Sequence, residues 1–195
     1  MLCLAPAYRK HQRDRKPGKP FGTQPEPLSM QLPAIATQLI SIKKHIMTLK
    51  KMPEAKLNMI ANSIMNSSKT HKVEPTIIVS IIMVESSFNQ NAVSSTGDIS
   101  IVQINYKVWG KESKRLKFDL DQARLKKDSN YAIDRMGVIL SYLHKTYSTK
   151  DPHWYARYHS KTSEYKIAYL KKVNKARTAH IETLPNTGTL LVSQQ

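Results

Sequence analysis

Cysteine is nearly missing from this 195-residue chain: Cys3 stands alone. One thiol cannot form an internal disulfide or a zinc site built on paired thiolates. Glycine is scarce at six residues, too few for a collagen-like or low-complexity chain. No apolar run approaches the roughly 18 residues of a membrane-spanning helix. Acidic residues are also few, 14 against 31 Lys and Arg, which leaves a formal charge of +17 and an isoelectric point near 9.9. Such an excess suits a polyanion: nucleic acid, teichoic acid, lipopolysaccharide or an anionic membrane. Lysines on helix faces equally serve solubility, and no zinc, basic-zipper or RNA-binding signature accompanies them, so nucleic acid is not the expected partner. Hydrophobic residues make up 40% of the chain, enough for one core of ordinary domain size.

Residues 1–29 hold five of the ten prolines and six basic residues, and they read as a tail. The apolar run at Met1–Ala7 is too short for an export signal, and its charges follow it instead of preceding it. Met30 offers an alternative start. From Pro33 the pattern turns helical, with Ile35, Leu39, Ile42, Ile46 and Leu49 on one stripe. Leu57, Ile60, Ala61 and Ile64 mark a second helix, ending in the polar Asn66-Ser67-Ser68 run. Pro75 opens a third that runs to about Ser87. Asn89–Gly97 reads as a turn-rich loop and 98–105 as a short strand or extended turn. The basic stretch Lys107–Lys127 reads as an exposed segment. Ile133, Met136, Gly137, Leu140 and Leu143 trace another helical face. A last helix is expected from Ser163, with Tyr165, Tyr169 and Val173 on one side. The predicted layout is a tail over 1–29, an added helix within 30–56, a main domain over 57–178 and a second tail over 179–195. The fold class is mainly α, a single helical domain with a short extended segment.

Glu85 is the residue that carries chemistry. It follows Ile82, Ile81 and Ile78 by three, four and seven positions, so a helix places its carboxyl on the apolar stripe near the C-terminal end. Desolvation and the negative end of the helix dipole both favour the protonated acid there. A carboxyl protonated near neutral pH is what a general acid requires.

The words around it are specific. Glu85-Ser86-Ser87-Phe88-Asn89 leads to Ala92, Ser94 and Gly97, then to Gln103-Ile104-Asn105. This run resembles the active-site segment of the soluble lytic transglycosylase family, which has the goose-type lysozyme fold. Members read approximately Glu-Ser-x-Phe-Asn-x-x-Ala-x-Ser-x-x-Gly, then Gly-Leu-Met-Gln. The second block departs here: it reads Ser100-Ile101-Val102-Gln103, with Ser100 at the glycine position, and Asp98 adds a charge. Asn130, Gly137 and Tyr142-Leu143 resemble the family helix behind the cleft. Ala156-Arg157-Tyr158-His159-Ser160 resembles its third motif, with His159 where asparagine is commoner; a Tyr-His-Ser version occurs among members tied to secretion machines.

The resemblance implies a lysozyme-like domain that cuts the β-1,4 bond between N-acetylmuramic acid and N-acetylglucosamine in peptidoglycan. Glu85 would be the catalytic acid and then base. Ser86, Gln103, Asn105, Tyr158 and His159 would bind substrate, with the Tyr158 hydroxyl orienting the acid or stabilising charge on the sugar. No metal or other cofactor is implied. The expected partners are glycan strands and, for delivery to the wall, a phage virion or a secretion system, with no integral membrane segment. Other readings stay open: a lysozyme-type muramidase of the same fold, a wall-binding module without activity, and a basic virion or nucleic-acid-binding structural protein. Asp98 is the nearby rival for a second carboxylate role.

Overall fold

A computed structural model describes residues 28–159 and 162–181, so both expected tails lie almost wholly outside the described residues. Within them the chain forms seven α-helices, one 3-10 helix and a two-stranded hairpin. The fold is mainly α, as the periodicity predicts.

Helix α1 (Leu28–Leu49) begins ahead of Pro33 and buries Ile42 and Ile46 against α2 (Glu54–His71), with further contacts to the third and last helices. Ile35, at the start of the expected stripe, is instead exposed. Helix α2 does not stop in the Asn66-Ser67-Ser68 run. It continues to His71 and closes on Lys72, whose left-handed backbone (φ 58°) lets its amide reach Ser68 O. The polar run stays helical because Ser67 is buried with its hydroxyl satisfied, donating to Ile133 O at 3.1 Å. Helix α6 (Ser129–Tyr147) crosses α2 at that point. A Cβ on Gly137 would overlap the Ser67 hydroxyl and the His71 ring, so only glycine permits this approach.

Helix α3 (Pro75–Ser86) starts on a proline at its first position, where the missing N–H costs nothing. Every residue from Ile77 to Ile82 is buried, which makes α3 the central helix of the domain. It ends in two successive left-handed residues, Ser87 (φ 50°) and the fully buried Phe88 (φ 60°). Strands β1 (Asp98–Ile99) and β2 (Ile104–Asn105) pair antiparallel, Asp98 opposite Asn105 and Ile99 opposite Ile104.

The basic stretch after the hairpin is helical, which its charge pattern conceals. Asn105 caps α4 (Tyr106–Leu116) by accepting from Val108 N at 3.1 Å, and Asp121 caps the short α5 (Gln122–Lys127) in the same way. Lys107, Lys111, Lys114 and Lys117 lie on the exposed side of this segment. The 3-10 helix Trp154–Tyr158 follows α6, and Asp151 ties it to α7 (Ser163–Ile181) by pairing with both Arg157 and Lys166. On α7, Tyr169 and Val173 are buried as expected, but Tyr165 is 63% exposed. It sits one turn too early to reach the core that α3 and α7 share.

Candidate active site

The end of α3, the hairpin, the first turn of α4 and the 3-10 helix surround a cleft of about 510 Å³. Glu85 contributes from α3, and Asp98, Gln103 and Asn105 contribute from the hairpin. Val108 and Trp109 border it on the α4 side, and Tyr158 and His159 on the other. Five of the residues singled out from sequence therefore meet in one cavity: Glu85, Gln103, Asn105, Tyr158 and His159.

Glu85 stands on the apolar side of α3 with its side chain 12% exposed. Burial pushes its pKa up to about 7, and the nearby charge of Asp98 acts in the same direction. Two groups oppose this: the Tyr169 hydroxyl, which donates to Glu85 Oε1 at 2.6 Å, and the Lys172 ammonium. Burial wins, so the carboxyl titrates near neutrality.

His159 Nδ1 lies 3.9 Å from Glu85 Oε1, and its ring stacks on Tyr169 with centroids 4.6 Å apart and planes 7° from parallel. Burial holds the imidazole below its ordinary pKa, which favours the neutral ring beside the acid. Tyr169 itself is held well above the usual phenol range by burial and by Glu85, so it remains a donor.

Tyr158 corrects one expectation. Its buried hydroxyl does not orient the acid; it donates to Val102 O at 2.8 Å and so fixes the hairpin loop. The tyrosine that touches Glu85 is Tyr169, which sequence reasoning assigned only to the closing helix. Ser86 is likewise committed to the backbone. Its hydroxyl donates to Ile101 O at 2.6 Å, joining the end of α3 to the same loop, and it is not among the cleft residues.

Gln103 borders the cleft while its amide nitrogen donates to Ala92 O and Ser100 O, both at 2.9 Å. Its left-handed backbone (φ 49°) and that of Ser100 (φ 75°) shape the loop between the strands. Asn105 spends its side-chain oxygen on the α4 cap. The Asp98 carboxylate accepts from the Ser94 hydroxyl at 2.8 Å and the Thr96 hydroxyl at 2.6 Å, so its oxygens are partly used within the turn. Trp109, Thr96, Arg157 and Tyr165 also line the cleft and were not foreseen. The apolar-basic period of α4 was the available signal for Trp109.

Among the described residues, no three His, Cys, Asp or Glu side chains converge as metal ligands, and no helix is long and apolar enough to cross a membrane. The arrangement is a protonatable carboxyl, buried at one side of an open groove with an aromatic wall. It can deliver a proton to a leaving group and take one back.

No curated protein matches the chain. The sequence model of the Transglycosylase SLT domain matches residues 62–180, from the third turn of α2 to the end of α7. The match covers more than half of the sequence and the whole cleft, and the chain belongs to the Transglycosylase SLT domain family.

Proposed function

We propose that this protein is a peptidoglycan lytic transglycosylase that cleaves the β-1,4 bond between N-acetylmuramic acid and N-acetylglucosamine and leaves a 1,6-anhydro end. Family membership makes the bacterial cell wall the substrate class. The observation that carries the finer reading is the state of Glu85, a desolvated carboxyl with a pKa near 7 at the side of the cleft.

In this reading protonated Glu85 gives its proton to the N-acetylglucosamine O4 as the C1–O4 bond breaks. The acetamido group of the muramoyl sugar supports the positive charge that develops at C1. The Glu85 carboxylate then accepts the proton of the C6 hydroxyl as O6 bonds to C1. The glutamate ends as it began and no water is consumed. Tyr169 supports this cycle, because its hydroxyl can stabilise the carboxylate in the middle state. The neutral His159 ring stacked on Tyr169 keeps that hydroxyl in place and excludes water from one side. Gln103, Asn105 and Trp109 give the groove its sugar-binding wall.

Asp98 favours a second reading. It shares the cleft with Glu85, and a second carboxylate can activate water, which makes hydrolysis by a muramidase of the same fold the alternative. Mass spectrometry of released muropeptides decides: transglycosylation gives anhydro ends one water lighter than the reducing ends of hydrolysis. The reading includes delivery to the wall by a phage particle or a secretion apparatus. The neighbouring genes, phage structural or transfer genes, decide between those routes.

A further inference from the structure

The reaction described above makes no use of the basic segment that follows the hairpin. Between residues 107 and 127 the chain places eight Lys and Arg against three acids. Those acids are engaged locally. Glu112 accepts from Arg115 Nε at 2.8 Å, Asp119 from the Tyr131 hydroxyl at 2.9 Å, and Asp121 from the Arg124 amide at 2.9 Å. Lys107, Lys111, Lys114 and Lys117 are exposed, and among the described residues none of them pairs with a carboxylate.

Their arrangement is ordered. Lys107, Lys111 and Lys114 recur at steps of four and three, so they line one side of α4 over about 10 Å, and Lys117 caps the helix just beyond. Like charges at that spacing repel and weaken a helix. Lys107 also stands in the first turn, where no acid balances the positive end of the helix dipole. Solubility asks only for dispersed charge and gives no reason for such crowding. A bound polyanion relieves the repulsion along the whole line.

The side chains around the stripe narrow the choice of polyanion. Surfaces for single-stranded nucleic acid interleave cations with aromatic rings on which bases stack. Here Tyr106, Trp109 and Phe118, the aromatics of the segment, pack against the core. Helices that lie on membranes bury a broad apolar face among the headgroups. Among the large apolar side chains of α4 only Val108 is exposed, and Val108 borders the cleft. What the stripe fits is a flexible chain with regularly spaced anionic groups and no rings to stack. The same helix supplies Val108 and Trp109 to the cleft wall, which puts such a chain beside the strand being cut.

We propose that the lysine stripe of α4 binds a linear, phosphate-bearing polymer of the cell envelope, of the poly(glycerol phosphate) class, and so holds the enzyme on the wall. The proposal rests on the peptidoglycan reading given above and adds a second envelope partner to it.

The test titrates the full chain calorimetrically with purified poly(glycerol phosphate), freed of glycan, at a series of salt concentrations. Binding is expected to weaken steeply with salt as counterions are released from the polymer. Lys107→Gln, Lys111→Gln and Lys114→Gln together keep helix propensity while removing the stripe. This triple is expected to bind at least about tenfold more weakly, with the slope of log affinity against log salt shallower by about two. Lys44→Gln, Lys50→Gln and Lys51→Gln together remove the same charge from exposed positions elsewhere and should stay within about threefold of the parent. Equal losses in the two triples, no binding to the polymer, or tighter binding to duplex DNA or to phosphatidylglycerol vesicles overturns the proposal. Clearing of peptidoglycan stripped of phosphate polymers separates this from the reading of the cleft: the parent and the Lys107 triple should clear it equally. A slower triple there would place the lysines in the cleavage reaction and overturn the proposal. No clearing by either protein removes the glycan reading, while the titrations still decide the polymer.

Discussion

Tyr169 donates its hydroxyl proton to Glu85 Oε1 at 2.6 Å, across 84 residues of sequence. The bond favours the ionised carboxylate, while burial favours the neutral acid, and the balance sets a pKa of about 7. In Tyr169→Phe only burial and the surrounding charges remain. The pKa of Glu85 therefore rises, by about one unit for a hydrogen bond to a charged acceptor. The alkaline limb of the kcat/KM profile should move up by that amount. At low pH, where Glu85 is protonated in both proteins, kcat should fall, because the carboxylate formed in mid-reaction has lost its donor. A profile that loses height at every pH without moving would show that Tyr169 acts only on the fold.

Glu85→Gln keeps shape and polarity but has no transferable proton. General acid–base catalysis contributes about a hundred- to ten-thousand-fold, and one residue serving twice puts the loss at the upper end. The matched variant Asp98→Asn should lose less than about tenfold, and its alkaline limb should move to lower pH, because a charge that raises the Glu85 pKa is gone. Turbidity clearing of a peptidoglycan suspension measures both. Retained activity in Glu85→Gln with loss in Asp98→Asn would reverse the roles assigned here.

The same carboxyl makes stability depend on pH. Its folded pKa near 7 exceeds the ordinary glutamate value of 4.5, so the native state binds the proton more tightly than the unfolded chain. That contribution is fully present below pH 4.5 and is lost as pH rises through 7. Above neutrality, Glu85→Gln should be more stable than the parent by on the order of 2–3 kcal/mol, with the gap closing toward acid pH. Urea unfolding at pH 5 and pH 8 reads the difference. A gap of the same size at both values would disconnect the gain from ionisation.

Ser100 occupies a glycine-like conformation at φ 75° while 1% exposed, and its side chain makes only a long contact of 3.5 Å, from the Val102 amide. Left-handed backbone costs a non-glycine residue about 1 kcal/mol or more. Ser100→Gly should therefore raise the thermal midpoint by about 2–4 °C per kcal/mol relieved, with the cleft unaltered. A fall in midpoint would mean that the serine hydroxyl contributes more than the strain costs.

Ile46 lies outside the family match, yet it is fully buried where α1 meets the rest of the domain. Truncating it to alanine leaves a cavity worth about 2–5 kcal/mol of destabilisation. Denaturant unfolding of Ile46→Ala tests whether α1 is part of the cooperative unit. A cost below about 0.5 kcal/mol, the scale of a surface change, would make α1 an appendage.

Much of the fold could be read from periodicity because the long helices bury isoleucine and leucine stripes at regular spacing. Ile77–Ile82 on α3 and Ile133–Leu143 on α6 are the clearest cases. Helix α4 is masked because lysines occupy its exposed positions and give the whole stretch a basic character, although Tyr106, Trp109 and Leu116 punctuate it. Ser67 escaped because a serine run reads as a helix end unless the neighbouring Gly137 is known to lie against it. At the site, local pattern placed Glu85 on a buried stripe, since neighbours three and four positions away determine that. The contact with Tyr169 depends on how α7 crosses α3, which no local window contains. Tyr158 and Tyr169 are both buried tyrosines of the same cleft region, and only the packing shows which hydroxyl reaches the acid.

The loop after α3 is tied twice from the other side, by Ser86 to Ile101 O and by Tyr158 to Val102 O, and the acid is capped by Tyr169. Those partners arrive in chain order at 101, 102, 158 and 169, so the surroundings of Glu85 are complete only once α7 has been made. A ribosome-bound chain that has exposed the whole signature around Glu85 but not yet α7 lacks the hydroxyl that donates to the acid. The two groups that hold the Glu85 pKa down, the Tyr169 hydroxyl and the Lys172 ammonium, arrive when the last helix docks. A fragment cut before Tyr169 would keep every motif residue through His159 and still lack the hydroxyl that holds the Glu85 carboxyl.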